Sequence, residues 1–496
     1  MLTEAEIKRL IDEDVLSDKK RRAAEGQRYY EADHDILQYR MFYYNADGIL
    51  VEDRARSNSR ICHPFFTELV DQLAAFIMSF EESPVMAKDT ADGLQEHLDV
   101  YFDDEFWAEI QELVTGCNSK GFEYLYGYKN HEDRLAFKCA DSLGVVEVRA
   151  KDTDDNCEYI IYWYVDRVGK NKKRIKRIEV HDKSQIWFYM QEDDGAVVLD
   201  DNEEINPKPN IVWTDKNTGK KYGDSLGFIP FWRLDNCKKQ FSGLKPIKGL
   251  IDDYDLMECG LSNNVQDFDT PIHLVKNFPG DDLNELQQNI KTKKIMNVDE
   301  NGGVEILTVD IPYQARKTKA DEDEKNIYRF GMGFNSAHSG DGNITNVVIR
   351  SRYTLLTLKA GKMIKRLKAF LKPIIRVVLD EINTKNGTDY QYSDVAVNFH
   401  PVIPTNEKEN AEIEKMEAET EQIRINNALS VETLLGEEEV LKMLCDIYDL
   451  EFDEVKGQLE KLKEAQNTPE ARNLLESMVT DDEQAAEAGT ATIPEQ

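Results

Sequence analysis

The chain has no uninterrupted run of 18 apolar residues, so no segment of it is built to cross a membrane as a helix. Its start, Met1-Leu-Thr-Glu-Ala-Glu6, lacks the basic flank and apolar centre of an export signal, and the expectation is a soluble protein that does not use the general export route. Cysteine is scarce and scattered. Cys62, Cys117, Cys139, Cys157, Cys237, Cys259 and Cys445 are odd in number and form no C-x-x-C pair, which fits thiols used as small apolar residues in a reducing cytosol. Cations are short too: 62 Lys and Arg face 95 Asp and Glu, a net charge of −33, far from what a general nucleic-acid binder carries. Metalloprotease and metal-site patterns are also missing. There is no H-E-x-x-H and no Cys/His metal spacing, and the eight histidines are dispersed. Thr218-Gly-Lys-Lys221 resembles the end of a phosphate loop, but Thr214 stands at the first glycine position and Lys221 replaces the magnesium-holding Ser or Thr. Arg329-Phe-Gly-Met-Gly333 lacks the third glycine of a dinucleotide fingerprint and reads as a flexible helix end.

What is present is periodicity. At 496 residues the chain has material for three or four structural units. The first 30 residues read as helical, with the basic cluster Lys19, Lys20, Arg21 and Arg22. Helices are expected from Pro64 to Phe80 and from Leu94 to Leu113, and an antiparallel sheet between Phe122 and Leu199, where period-two and β-branched runs such as Tyr159-Ile-Ile-Tyr-Trp-Tyr-Val165 take over. After Pro246, Ile247, Leu250, Ile251, Tyr254, Met257, Leu261, Val265 and Phe268 fall three and four apart on one helical stripe. At about 1.5 Å per residue this is a rod of roughly 35 Å, sticky on one side. A short strand Ile272–Lys276, a short helix near Leu283–Ile290 and two strands about Asn301-Gly-Gly303 make a small α/β insert, and a polar helix runs from Pro312 to about Phe330. Asn335-Ser-Ala-His-Ser-Gly-Asp-Gly-Asn-Ile-Thr-Asn346 is a small, polar, glycine-containing loop.

Two charge features invite function. Asp252, Asp253, Asp255 and Glu258 cluster on the rod, and clustered carboxylates bind magnesium in nucleases. On one helix 252, 253 and 255 splay over a wide arc, so the preferred reading is a solvated acidic face. From Val347 a second long helix runs to about Asn383, with an interruption and kink expected at Pro373. Between Asn346 and Leu379 it carries Arg350, Arg352, Lys359, Lys362, Lys365, Arg366, Lys368, Lys372 and Arg376 and no anion. The preferred reading is neutralisation of acidic elements of its own or a neighbouring chain, with contact to phosphates as the alternative. A strand at Val395–Phe399 follows. Residues 401–496 hold 25 acidic and 8 basic residues, net −17, and the Ala- and Glu-rich end is expected to be disordered. For Lys172–Arg177 an exposed hairpin strand is preferred over a DNA patch.

The segments Glu25-Gly-Gln-Arg-Tyr-Tyr-Glu-Ala-Asp-His-Asp-Ile36, Leu69-Val-Asp-Gln72, Gly227-Phe-Ile-Pro-Phe-Trp232 with Asn236 and the rod to Asp267, and Asn343-Ile-Thr-Asn-Val-Val-Ile-Arg-Ser-Arg-Tyr-Thr-Leu-Leu356, in this order, resemble the portal proteins of tailed bacteriophages, in the subfamily of long-tailed phages of Gram-positive hosts. The resemblance spans roughly residues 20–440. It implies an α+β portal fold: a mixed α/β wing over 1–240, a two-helix stem at 241–270 and 312–334, and a small α/β clip at 271–311. It further implies a channel loop at 335–346, a long kinked helix with its return strand at 347–405, a helical crown at 406–480 and a disordered tail at 481–496. It implies a non-enzymatic ring, usually of twelve subunits, at one capsid vertex, through which double-stranded DNA is packaged and ejected. The implied partners are terminase, a head-completion or adaptor protein, and the major capsid and scaffolding proteins, with no membrane, metal or cofactor; the ring would assemble in the host cytoplasm and end in the virion. Leu250, Tyr254, Met257 and Leu261 would pack the stem, and Asp252, Asp253, Asp255 and Glu258 would form an acidic channel face. The rivals are a metal-dependent nuclease using Asp252, Asp253 and Asp255, and a monomeric acidic adaptor or DNA mimic.

Overall fold

Polar caps start the first helices of the computed structural model. Thr3 and Glu6 form a capping box, Thr3 N–H donating to Glu6 Oε2 at 2.8 Å and Glu6 N–H to Thr3 Oγ1 at 3.3 Å, and α1 (Glu4–Val15) follows. Ser17 accepts from Lys20 N–H at 3.2 Å and opens α2 (Asp18–Tyr30). The structure describes residues 2–54, 56–88, 91–130, 132–151, 157–168, 173–193, 195–214, 221–268, 272–276, 303–307, 312–335 and 346–403, and between 415 and 457 only short pieces. The expected short helix near 283–290, the strand before 301, the turn 169–172, the end of the phosphate-loop look-alike at 218–220, loop residues 336–345 and the tail lie outside them.

A hairpin of β1 (Phe42–Tyr44) and β2 (Leu50–Glu52) precedes α3 (Phe65–Ile77) and β3 (Val85–Ala87). The single helix expected over 94–113 is two: α4 (Leu94–Tyr101) and α5 (Asp104–Lys120). The cause is Asp103, which is extended and accepts from Phe106 N–H at 3.0 Å, a capping geometry that a helix interior cannot supply. Gly121 ends α5 at φ +98°, and a Cβ there would meet the Gln240 carbonyl oxygen at 2.4 Å.

The strands are β4 (Phe122–Lys129), β5 (Leu135–Ala140), β6 (Val145–Val148), β7 (Tyr159–Val168), β8 (Lys173–His181), β9 (Gln185–Glu192), β10 (Val197–Leu199), β11 (Lys208–Pro209), β12 (Ile211–Thr214), β13 (Lys221–Asp224) and β14 (Phe231–Asp235). They pair antiparallel as β14-β4-β5, as β10-β9-β8-β7-β6 with β11 on β9, and as β12-β13. Val146, Ile161, Ile178 and Val180 on one face of the larger sheet bury Ile7 and Ile11 of α1, while Val145 and Ile160 on its other face share a core with Phe122, Tyr124 and Phe231.

Next come α6 (Lys248–Phe268), β15 (Ile272–Lys276) paired antiparallel with β16 (Gly303–Leu307), α7 (Tyr313–Gly331), α8 (Asn346–Asn386) and β17 (Val395–Val397), which pairs with β3. The largest core joins α3, α4, α5 and α8. Leu367, Leu371, Ile374, Ile375 and Val378 of α8 lie fully buried in it, each contributing about 1.5–3 kcal/mol, and this packing on both sides of Pro373 keeps α8 helical through that residue, without the expected interruption. Residues 1–342 and 348–404 form one compact unit; residues 343–347 and 405–496 form another. In the second, α9 (Glu437–Ile447) buries Val440 and Cys445, and Lys442 pairs with Glu439 at 2.8 Å. Among the described residues no helix is long and apolar enough to cross a membrane.

Candidate functional site

Helices α6 and α7 run antiparallel: Ile251 shares a core with Ile327, Asp253 meets Lys319 at 2.6 Å, and Gly260 lies against Arg316. They enclose the β15–β16 pair in sequence. Leu250 and Tyr254 are partly buried against the core of Tyr29, Phe66, Leu69, Ile251 and Ile327, and Tyr254 takes edge-on contacts from His63 and Phe65, both at 4.9 Å between ring centroids. Met257 and Leu261 are also partly buried.

One side of α6 does something the sequence does not announce. Asp255, Cys259, Asn263 and Asp267, four residues apart, lie on one stripe, and each accepts a backbone N–H from an extended strap, residues 57–63. His63 N–H donates to Asp255 Oδ1 at 2.9 Å, Ile61 N–H to Cys259 Sγ at 3.2 Å, Ser59 N–H to Asn263 Oδ1 at 2.6 Å and Ser57 N–H to Asp267 Oδ1 at 3.0 Å. Two extended residues rise about 6.6 Å and one helical turn about 5.4 Å, so alternate strap amides keep step with successive turns over this short distance. The available signal was the i, i+4, i+8, i+12 series of acceptors on α6; its partner, two hundred residues earlier, carried none.

Asp255 corrects the expectation of a solvated acidic face. It is fully buried, accepting also from His34 Nδ1 at 2.7 Å and His63 Nδ1 at 2.8 Å. Burial pushes its pKa up, but the hydrogen bonds from His34 and His63 outweigh this and hold it below the ordinary value of 3.8. His34 is itself fully buried and stacks on Tyr29 at 4.6 Å. Asp252 points elsewhere: Lys248 Nζ donates to it at 2.8 Å and to Asp35 at 2.7 Å, and the Tyr29 hydroxyl donates to it as well. Asp35, though burial works against it, is lowered to about 2 by hydrogen bonds from Lys248 and Arg28. The three aspartates thus turn to three different partners, and they do not converge as ligands of one ion would.

The end of α7 is tight, not flexible as expected. A Cβ on Gly331 would stand 2.6 Å from Leu69 Cδ1, and one on Gly333 would stand 2.0 Å from Leu69 Cδ2. Leu69 is fully buried, so glycine is what the close approach of α7 to α3 requires. Gln72 then clamps Phe334 at both backbone groups, Nε2 to the carbonyl at 2.7 Å and Oε1 from the N–H at 2.9 Å. Phe334 stacks on Tyr353 of α8 at 4.8 Å between ring centroids. Of that loop, Ser336, Ala337, His338, Ser339, Gly340, Asp341, Gly342, Asn343, Ile344 and Thr345 lie outside the described residues. Asn335 Nδ2 donates to Glu324 at 2.8 Å.

The nine cations of α8 find no carboxylate partner within the chain among the described residues. Lys359 Nζ donates to the Gly331 carbonyl at 3.0 Å, and burial without a neighbouring carboxylate pulls it down to about 8. Lys368 reaches Asn398 Oδ1 at 3.2 Å, and Lys372 and Arg376 lie over the Tyr392 ring. In the N-terminal cluster Lys20 is buried, donating to the Val145 carbonyl at 2.7 Å and pairing with Asp14 at 3.1 Å, a structural role. Gly223-Asp-Ser-Leu-Gly227 matches the serine-hydrolase pattern, but Ser225 is exposed between two strands with its hydroxyl donating to the Lys183 carbonyl at 2.9 Å, and β14 follows where a nucleophile elbow requires a helix.

The sequence model of one family, described as "Phage portal protein, SPP1 Gp6-like", matches residues 11–465. The portal protein of Bacillus phage SPP1 is 25% identical over 351 residues, covering 70% of this chain and 67% of that protein. The portal protein of Clostridium phage phiCD119 is 22% identical over 424 residues, covering 75% of this chain and 87% of that one. The family match takes in the sheets, the helix pair with its insert and the long cationic helix alike, and the chain therefore belongs to the SPP1 Gp6-like family of phage portal proteins.

Proposed function

We propose that the chain is one subunit of a ring, of twelve copies by family resemblance, at one capsid vertex, and that the ring conducts double-stranded DNA during packaging and ejection. The carrying observation is the antiparallel α6–α7 pair with a strand-paired insert between its helices, in a chain of this family. Copies packed side by side around an axis give such a pair its missing neighbours. In this reading α6 and α7 form the stem, the insert 271–311 is the clip that meets terminase and later a head-completion or adaptor protein, and loop 335–346 lines the narrowest passage. The wing and residues 406–480 face the capsid, with major capsid and scaffolding proteins as neighbours. Leu250, Tyr254, Met257 and Leu261 complete their burial between stems. Asp252, Asp253 and Glu258 remain candidates for an acidic channel face that repels the DNA backbone; Asp255 does not. Energy for packaging comes from terminase, and the ring itself does no chemistry.

The nuclease alternative is disfavoured by the divergence of Asp252, Asp253 and Asp255. Electron micrographs of the purified chain should show rings with a central hole. A single monomeric species at all concentrations would overturn the proposal, as would divalent-ion-dependent cleavage of DNA by the pure protein.

A further inference from the structure

The hairpin β1–β2 exposes apolar side chains in a way a soluble chain does not leave uncovered. Phe42 is 55% exposed, Tyr43 49%, Tyr44 73%, Ile49 60%, Leu50 54% and Val51 37%. Both faces are apolar, because Phe-Tyr-Tyr and Ile-Leu-Val are consecutive and not alternating with polar residues. Together the six leave on the order of 600 Å² open, more than singly scattered surface residues account for and close to the roughly 800 Å² per partner of a stable interface. A two-stranded hairpin is marginal by itself in water, so this one depends on what covers it.

We propose that the cover is a second copy of this chain, and that the hairpin of one copy seats in a cleft beside α6 of the next. The proposal rests on the ring reading above and adds the residues that join neighbours. Three observations identify the occupant. First, knob and hole are present on the same chain. At the root of the hairpin, Tyr39 and Met41 line a cleft of about 670 Å³ whose other walls are apolar at Leu256 and Met257 and polar at Asn264 and Arg316, so it offers partners both to the rings and to the hydroxyls of a seated Tyr43 or Tyr44. The hairpin of the same chain stays exposed outside that cleft, so a head-to-tail arrangement fills every cleft with a neighbour's hairpin, and a rotation that closes gives a ring. Second, α6 itself leaves Leu256 37% and Val265 49% exposed, apolar surface that a seated hairpin would cover. Third, charge favours a copy. Residues 39–56 hold three cations (Arg40, Arg54, Arg56) and three anions (Asp47, Glu52, Asp53), net zero, in a chain of net −33. A neutral apolar projection is what can approach another strongly acidic copy without electrostatic cost. The strap 57–63 follows the hairpin directly and ties it to α6, so a hairpin held by a neighbour couples the two copies through a rigid element.

The test uses the full chain with p-benzoylphenylalanine at position 44, in rings assembled from an equal mixture of isotopically labelled and unlabelled protein. Irradiation should give cross-links from position 44 to residues 248–268 that join labelled to unlabelled chains. In parallel, the double variant Tyr44→Ser/Leu50→Ser should raise the concentration at which oligomers dissociate at least tenfold, with the melting of the monomer unchanged because the hairpin contributes to no core. If the wild-type chain never assembles, both the ring and this contact are wrong. If rings form but the double variant assembles as wild type, or cross-links stay within one chain or fall elsewhere, the hairpin contact is overturned while the ring stands.

Discussion

Asp255→Ala is the most informative single change in the α6 stripe. It removes one carboxylate and leaves three donors, His34 Nδ1, His63 Nδ1 and the His63 N–H, without their acceptor, two of them on side chains that are fully or largely buried. Hydrogen bonds to a charged partner are each worth about 1.5–3 kcal/mol, and breaking a buried charged pair costs about 3–5 kcal/mol, so the non-additive total is placed at about 4 kcal/mol. Asp255→Asn keeps an acceptor oxygen and the shape, and should cost about half of that. The loss acts where strap and helix meet. At 1.4 kcal/mol per factor of ten, local opening of residues 57–63 should become roughly a thousand times more frequent in the alanine variant. Hydrogen–deuterium exchange followed by peptide mass analysis reads this directly on the amides of Ser57, Ser59, Ile61 and His63. The pH dependence has a fixed sign. The folded pKa lies below 3.8, so Asp255 contributes stability above that value and the contribution is lost as pH falls through the lower folded value. Strap protection should stay level at neutral pH and collapse below about pH 4. If the strap amides of Asp255→Ala exchange as in wild type, the stripe does not hold the strap.

Gly333→Ala drives a Cβ to 2.0 Å from Leu69 Cδ2 and should lower stability by about 1–3 kcal/mol in thermal melts, with Leu69→Ala restoring part of the loss; a neutral single variant would refute the close-packing argument. Lys359→Met removes a desolvated ammonium and should raise stability at pH 7 by on the order of 1 kcal/mol. Because the folded pKa is about 8 against 10.5 unfolded, the unfolded chain binds more protons between these values, so wild-type stability rises with pH there and the advantage of Met fades; a destabilised variant would mean the bond to Gly331 outweighs the burial. Replacing Lys365, Arg366 and Lys368 together by Gln should weaken ring assembly at low salt more than DNA packaging, measured by light scattering and by packaged DNA per particle. Normal rings that fail only to package would make these cations DNA contacts.

The elements were legible where one local rule decided them. The α6 stripe from Ile247 to Phe268, the period-two runs of β7 to β9 and the cationic α8 follow from side-chain periodicity that needs no distant partner. Asp103 was missed because a capping aspartate inside an apolar 3.6-residue pattern looks like one more polar position. The hairpin at 42–52 escaped because its runs are apolar on both faces and match neither period, which is also why it is exposed in the single chain. The strap was invisible in principle: its bonds come from backbone N–H groups, which every residue has, and only the receiving series on α6 is encoded in side chains.

The same helix geometry that argues against a metal site explains what the acidic residues of α6 do instead. Successive positions turn by about 100°, so 252, 253 and 255 point in three directions. One is held by Lys248 and Tyr29, one by Lys319 of α7, and one by His34 and His63. Each carboxylate therefore ties α6 to a different neighbour. Sliding α6 by one turn would break the four strap bonds together with the contacts of Tyr29 to Asp252, Lys248 to Asp35, Lys319 to Asp253 and the two histidines to Asp255, and at about 1 kcal/mol for each neutral bond and more for the charged ones that barrier exceeds what a single side-chain rearrangement can offset. A portal subunit that changes shape as DNA passes must then move α6, α7 and the strap as one body and place its deformation in segments without such ties.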